Sequence, residues 1–178
     1  MSTQDARREI VAELEAARLE FHAMLASVSA EDWTRPSANP AWTNGQLLAH
    51  VTFGYLLVPR LWRVLQAFSK LPRSWSRAFA ALLSTSTPLY NRINALVPRL
   101  GTRLYGAAGL ERRYDRIHER VLELSLSLSE ADWERGMHYP TRWDPRFADF
   151  MKFEDVLRWS VAHLRHHETQ LRPSPRNR

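Results

Sequence analysis

His163 and His167 stand four residues apart in a segment of helical periodicity, so their rings leave adjacent turns of one face. At that spacing two imidazoles reach one ion at ~2.0–2.1 Å. Both border the apolar stripe of Val156, Leu157, Val161 and Leu164 and so face a bundle interior, while His166 points toward the polar side. An H-x-x-x-H pair alone describes many solvated helices equally well. His50 changes the balance, because it sits among Leu47, Leu48, Val51 and Phe53 on the inner face of another helix. A single inward histidine is ordinarily a satisfied core residue. Three on two helices ask for a shared partner, since burying unpaired imidazoles costs free energy that ligation removes. Three neutral imidazoles without a carboxylate leave positions open on a divalent metal for water or a substrate heteroatom. Zinc is the first expectation, with nickel, iron, copper or manganese as the others, because imidazole donors do not choose. Such an ion activates a bound water or thiolate.

No other residue offers an evident acid or base beside these three. Glu168 and Asp155 fall on other faces of the same helix, and His22, His118 and His138 are candidates by type alone, read as structural or exposed. Gln170, one turn beyond His167, is placed to orient a ligand or bound water. The loop Tyr139 to Phe147 leads into the metal helix. In it Arg142 and Arg146 suit a carboxylate or phosphate, with Trp143 and Tyr139 as walls. A packed loop with an Arg–Asp144 surface pair accounts for the same residues.

Four amphipathic helices can position these groups. The first, Thr3 to Val28, repeats Ile10, Leu14, Ala17, Phe21 and Met24 or Leu25 at three- and four-residue steps. The second is announced by Thr43 and Gln46, a T-x-x-Q capping box with Trp42 packing back on the first turn; its face is Leu47, His50, Gly54, Leu57 and Leu61, and Pro59 is expected to kink or end it. The third, Leu110 to Leu128, carries Tyr114, Ile117, Val121 and Leu124 inward. The fourth runs from Phe153 to Leu171 and is stopped by Pro173 and Pro175. Residues 59–109 read as an insertion of short helices, cut by Pro72, Pro88, Pro98, Gly101, Gly106 and Gly109. Ser29-Ala-Glu-Asp-Trp33 is echoed by Ser129-Glu-Ala-Asp-Trp133, which suggests two related helix pairs.

The chain of 178 residues, 44% hydrophobic, with seven Trp, suits one globular domain over 1–178. It has no Cys, which excludes a disulfide framework, a thiolate metal site and a cysteine nucleophile. The first fifteen residues are polar and charged and no apolar run nears ~20 residues, so a cytoplasmic location is expected. The net charge of +6 is uneven: no Asp or Glu lies between Asp32 and Glu111, where Arg60, Arg63, Lys70, Arg73, Arg77, Arg92, Arg99 and Arg103 all fall. This basic, apolar insertion would act as a lid for an anionic substrate, insert Trp62, Phe68, Trp75 and Phe79 at an anionic membrane surface, or pack on the bundle or in a homodimer. No nucleic-acid motif accompanies the charge.

Trp42-Thr43 with His50 seven residues after Thr43, joined to His163-Leu-Arg-His166-His167-Glu-Thr-Gln170, resembles the DinB-like superfamily. That superfamily is also described through bacillithiol transferases and mycothiol-dependent maleylpyruvate isomerases. Its pattern is a late helix reading H-x-x-H-H-x-x-Q plus one histidine on the second helix, and every matching position is present. The resemblance implies an all-α, DinB-like four-helix bundle, with the helical insertion between its second and third helices. It implies His50, His163 and His167 as the metal triad, with open coordination. It also implies a transferase or isomerase using a low-molecular-weight thiol, which this Cys-free chain would take from outside. Metal-dependent hydrolysis at the same site, and a non-catalytic binding role through the insertion, stand as alternatives.

Overall fold

The computed structural model describes residues 3–174, so Pro175 lies outside the described residues. The chain is all-α apart from two three-residue strands. It runs α1 (Thr3–Ser27), a 3-10 turn (Asp32–Thr34), α2 (Asn44–Phe68), α3 (Arg73–Thr85), α4 (Thr87–Ser127), α5 (Glu130–Trp133), β1 (Gly136–His138), β2 (Phe150–Lys152) and α6 (Phe153–Glu168). The bundle consists of α1, α2, α6 and the part of α4 beyond Gly106. Both α1 and α2 pack chiefly against α4 and α6, so the first two helices sit across a diagonal from each other. Ile10, Leu14, Ala17, Phe21 and Met24 of α1 and Tyr114, Ile117 and Val121 of α4 are buried at the expected spacing.

The Thr43 box forms as expected: Gln46 N–H donates to Thr43 Oγ1 (3.4 Å) and Thr43 N–H to Gln46 Oε1 (3.2 Å). Pro59 does not end α2, which continues to Phe68. A proline inside a helix costs ~3 kcal/mol. Val58, Trp62 and Leu65, all buried, extend the inner face on both sides of it. Their burial is worth ~1.5–3 kcal/mol each and outweighs that cost.

The following stretch is cut at fewer places than expected. Pro72 caps α3, Pro88 opens α4, and Pro98 lies within α4, which holds 41 residues. Within α4 the helical backbone breaks at Gly106, at φ 59°, ψ −172°, and the helix kinks there before it enters the bundle. The antiparallel pair β1–β2, with Met137 opposite Met151, was not foreseen. It ties the loop 139–149 to α3, where the Ser76 hydroxyl accepts from the His138 N–H (3.3 Å). The loop is held to the α3–α4 hairpin at two further points: Trp143 Nε1–H donates to the Leu83 carbonyl (3.0 Å), and its ring stacks on Tyr90 at 4.3 Å.

The repeated Ser–x–x–Asp–Trp segments fold alike. In each, the Asp backbone N–H donates to the Ser hydroxyl (Asp32 to Ser29, 3.1 Å; Asp132 to Ser129, 3.2 Å). In each, an Arg three residues on pairs with the Asp.

Candidate metal centre

Two helices bring three imidazoles together. The ligand atoms of His50 (α2), His163 and His167 (α6) all lie within 4.8 Å of one another, and all three residues are buried. Nε2 of His50 and Nε2 of His163 are 3.1 Å apart. Two nitrogens held by one tetrahedral ion at ~2.05 Å would stand ~3.3 Å apart, so this pair is already at ligand spacing.

The surroundings keep the rings neutral. Burial, reinforced by His167 and His166, holds His50 down to about 3. Burial followed by the His50 and His167 charges drives His163 well below its usual value. Burial holds His167 down to about 4 despite its hydrogen bond to Gln170. Neutral imidazole is the ligating form.

The supporting shell comes from several elements. Gln170, in the turn after α6, accepts at Oε1 from His167 Nδ1 (2.9 Å) and from Asn39 Nδ2 (3.2 Å), while its Nε2 meets His166 Nε2 at 3.0 Å. Because an amide oxygen only accepts, the His167 proton sits on Nδ1 and its Nε2 lone pair is free to face an ion. Trp42 stacks on His50 with ring centres 4.3 Å apart, and Trp159 lies 5.1 Å from His163. Gly54 leaves room for His163: a Cβ there would stand 2.7 Å from its Cε1. His50 Nδ1, buried, has no hydrogen-bond partner. The donor set therefore fits a dication: soft-to-borderline nitrogen ligands, deprotonated, at ligand spacing, one of them oriented by an amide.

The other candidates fall in different places. Arg146, hydrogen-bonded through its backbone to Asp144 (2.8 Å), is near enough for its charge to depress His163, His166 and His167. Arg142 is exposed. Trp143 is taken up by Tyr90 and Leu83, and Tyr139 is buried against Phe147. Asp155 accepts from the Lys152 N–H at the start of α6 (2.8 Å), and Glu168 is exposed. The three other candidate histidines meet carboxylates: His22 with Asp115 (2.8 Å), His138 with Asp149 (3.1 Å), and His118 with Glu15. His118 Nε2 approaches Glu15 Oε1 to 3.2 Å but out of line for a hydrogen bond, so its Nδ1 contact with the Tyr55 hydroxyl (3.0 Å) is the better formed.

Sequence reasoning did not foresee that Trp42 stacks on His50, that Trp159 walls the site, or that Asn39 steadies Gln170. Trp159 had a signal, four residues before His163 on the same helix. Asn39 had none, since its loop meets Gln170 only through the fold.

A family model described as the DinB superfamily matches residues 13–171, a span that contains the three histidines, Trp42 and Gln170. No curated protein and no solved structure matches the chain.

Proposed function

The chain belongs to the DinB superfamily, and on that premise we propose that it is a metal-dependent transferase or isomerase using a low-molecular-weight thiol. His50, His163 and His167 hold the ion in this reading, and zinc is the first choice. The observation that carries it is the set of three buried, neutral imidazoles converging within 4.8 Å. A dication in such a set supplies Lewis acidity and lowers the pKa of a ligated thiol or water.

The chain's own residues supply the rest. Gln170 keeps the proton on His167 Nδ1, which fixes both the tautomer and the orientation of the ring. Trp42 and Trp159 cover two of the three imidazoles and keep water from them. Arg146, ion-paired with Asp144 at 3.6 Å, keeps a positive charge near the site and would attract a carboxylate on the thiol substrate. The thiol comes from outside, because the chain has no Cys.

Metal content by mass spectrometry, on protein purified without a metal-binding tag, tests the centre. Wild type should carry about one equivalent and a folded His50→Ala, His163→Ala double variant none. A screen of small thiols against electrophilic acceptors and isomerisable thiol adducts then tests the reaction. Turnover that persists in His50→Ala would sink the proposal. Thiol-independent hydrolysis in the same screen would replace thiol transfer with hydrolysis at the same three histidines.

A further inference from the structure

The hairpin of α3 and α4 turns its greasiest side away from the protein. Along α4, Leu89, Ile93, Leu96, Leu100 and Leu104 are all exposed, between 45% and 72%. At 100° per residue they fall within an arc of about 80°. Pro98, on the opposite side of the helix, is buried, and a Cβ on Gly101 would sit 3.4 Å from Ala49 Cβ. A helix that merely packs on a bundle shows the reverse pattern. Arg92, Arg99 and Arg103 follow one flank of the stripe, about 40–80° round from its first leucine. None of these three has an ion-pair partner among the described residues, and no acid occurs between Asp32 and Glu111 to provide one locally. On α3 the exposed side carries Trp75 and Leu82, and Leu71 is exposed in the turn before it.

We infer that this hairpin docks the protein on an anionic lipid bilayer. An apolar helical face flanked by arginines, with an exposed tryptophan on the neighbouring helix, is the pattern of helices that lie in the membrane interface. Charge selects the occupant. A second copy laid on the same stripe would bring arginine rows together with no acid in the segment to offset them. Anionic headgroups complement them, and guanidinium forks suit phosphate oxygens. The stripe is also continuous with a cleft: Leu100 and Leu104 line an apolar cavity of about 230 Å³ against Ala49 and Phe53 of α2. Most of its lining is apolar, as an acyl chain requires, and Arg113, also in the lining, suits an anionic headgroup. No helix among the described residues is long and apolar enough to cross a membrane, so the contact is with the surface.

The test is co-sedimentation of the full, metal-loaded chain with vesicles of phosphatidylcholine, alone or with about 30% phosphatidylserine. Wild type should pellet with the anionic vesicles, weakly with neutral ones, and less as salt rises. Leu89→Glu with Leu96→Glu should weaken binding more than tenfold. Arg92→Gln, Arg99→Gln and Arg103→Gln together should weaken it on the order of a hundredfold, about fivefold for each charge. All five positions are exposed and distant in sequence from the triad, so helicity and metal content should be unchanged. Three results would overturn the inference. One is no binding to anionic vesicles by a monomer, which would leave an acidic protein as the occupant. Another is a dimer, seen by sedimentation, that Leu96→Glu disperses while vesicle binding is absent. The third is binding that ignores the arginine substitutions.

Discussion

His50, His163 and His167 lie between α2 and α6 with no carboxylate in contact among the described residues, whereas His22 and His118 lie where α4 meets α1, each against an acid. Both groups sit in one bundle, and His118 is as buried as any of the three. What differs is what their second nitrogens meet. His118 is held by the Tyr55 hydroxyl on one side and the Glu15 carboxylate on the other, and His22 by Asp115 and Glu111. Those rings are cross-links between helices. The triad has only an amide, Gln170, and two indoles, and its rings turn toward one another. In this bundle the acid-paired histidines join helices, while the three without a carboxylate in contact converge on a common centre, as a ligand set does.

Exchanging the two roles by mutation gives the largest effect. His163→Ala should remove the bound metal entirely and with it any metal-dependent turnover, while leaving a helical protein. His118→Ala should keep about one equivalent of metal yet lower stability by about 1–3 kcal/mol, because the buried Tyr55 hydroxyl loses its partner. Metal analysis and denaturant melts on the two variants read this directly. Metal lost from the His118 variant, or kept by the His163 variant, would erase the distinction.

Acid sharpens the same contrast in the metal-free protein. His50 and His167 are held at about 3 and about 4 when folded, against about 6.5 when unfolded. Below about 6.5 the unfolded chain takes up protons that the folded one refuses, so stability is complete above that pH and falls as pH drops toward 4. The two together amount to on the order of a few kcal/mol at the acid end. Urea melts of the apo protein between pH 7 and 4 should show that slope, and His50→Leu should flatten it. A flat wild-type profile would mean that the rings are not held neutral.

Much of this was legible in the residues, for reasons that also mark where legibility stops. The Thr43–Gln46 box, the inner face of α1 and the convergence of His50 with the H-x-x-x-H pair are periodic or local signals, and the fold keeps them. Pro59, expected to kink or end α2, does not end it, because a local rule met three buried side chains that hold the helix on both sides of it. The strands β1 and β2 hold three residues each and pair across a loop, too short for alternation to show. The carboxylate partners of His22 and His118 come from residues 93 and 103 positions away, so they follow only from which helices touch.

Gln170→Leu tests the support without touching a ligand. Removing a partner that orients a metal-bound histidine costs ~10–100-fold in metal affinity. Competition against a chelator should show a drop of that size with the stoichiometry intact, and Gln170→Glu, which still accepts from His167 Nδ1, should recover most of it. An unchanged affinity in the leucine variant would mean that His167 is held by packing against Trp42 instead.

The smallest effect belongs to the acid on the other side of the comparison. Glu15 is 43% exposed and shares its carboxylate between Arg18 (3.2 Å) and His118, the neighbour that does most to hold it below its usual value. In Glu15→Gln the amide oxygen still faces His118, and Arg18 keeps Asp115 at 3.6 Å. Exposed pairs of this kind are worth ~0–1 kcal/mol, so the melting temperature should fall by no more than about 2–4 °C. Metal content and affinity should not change at all. Loss of metal or of turnover in this variant would mean that the Glu15–His118–Tyr55 line reaches the triad through α2, and that the acid-paired histidines belong to the chemistry after all.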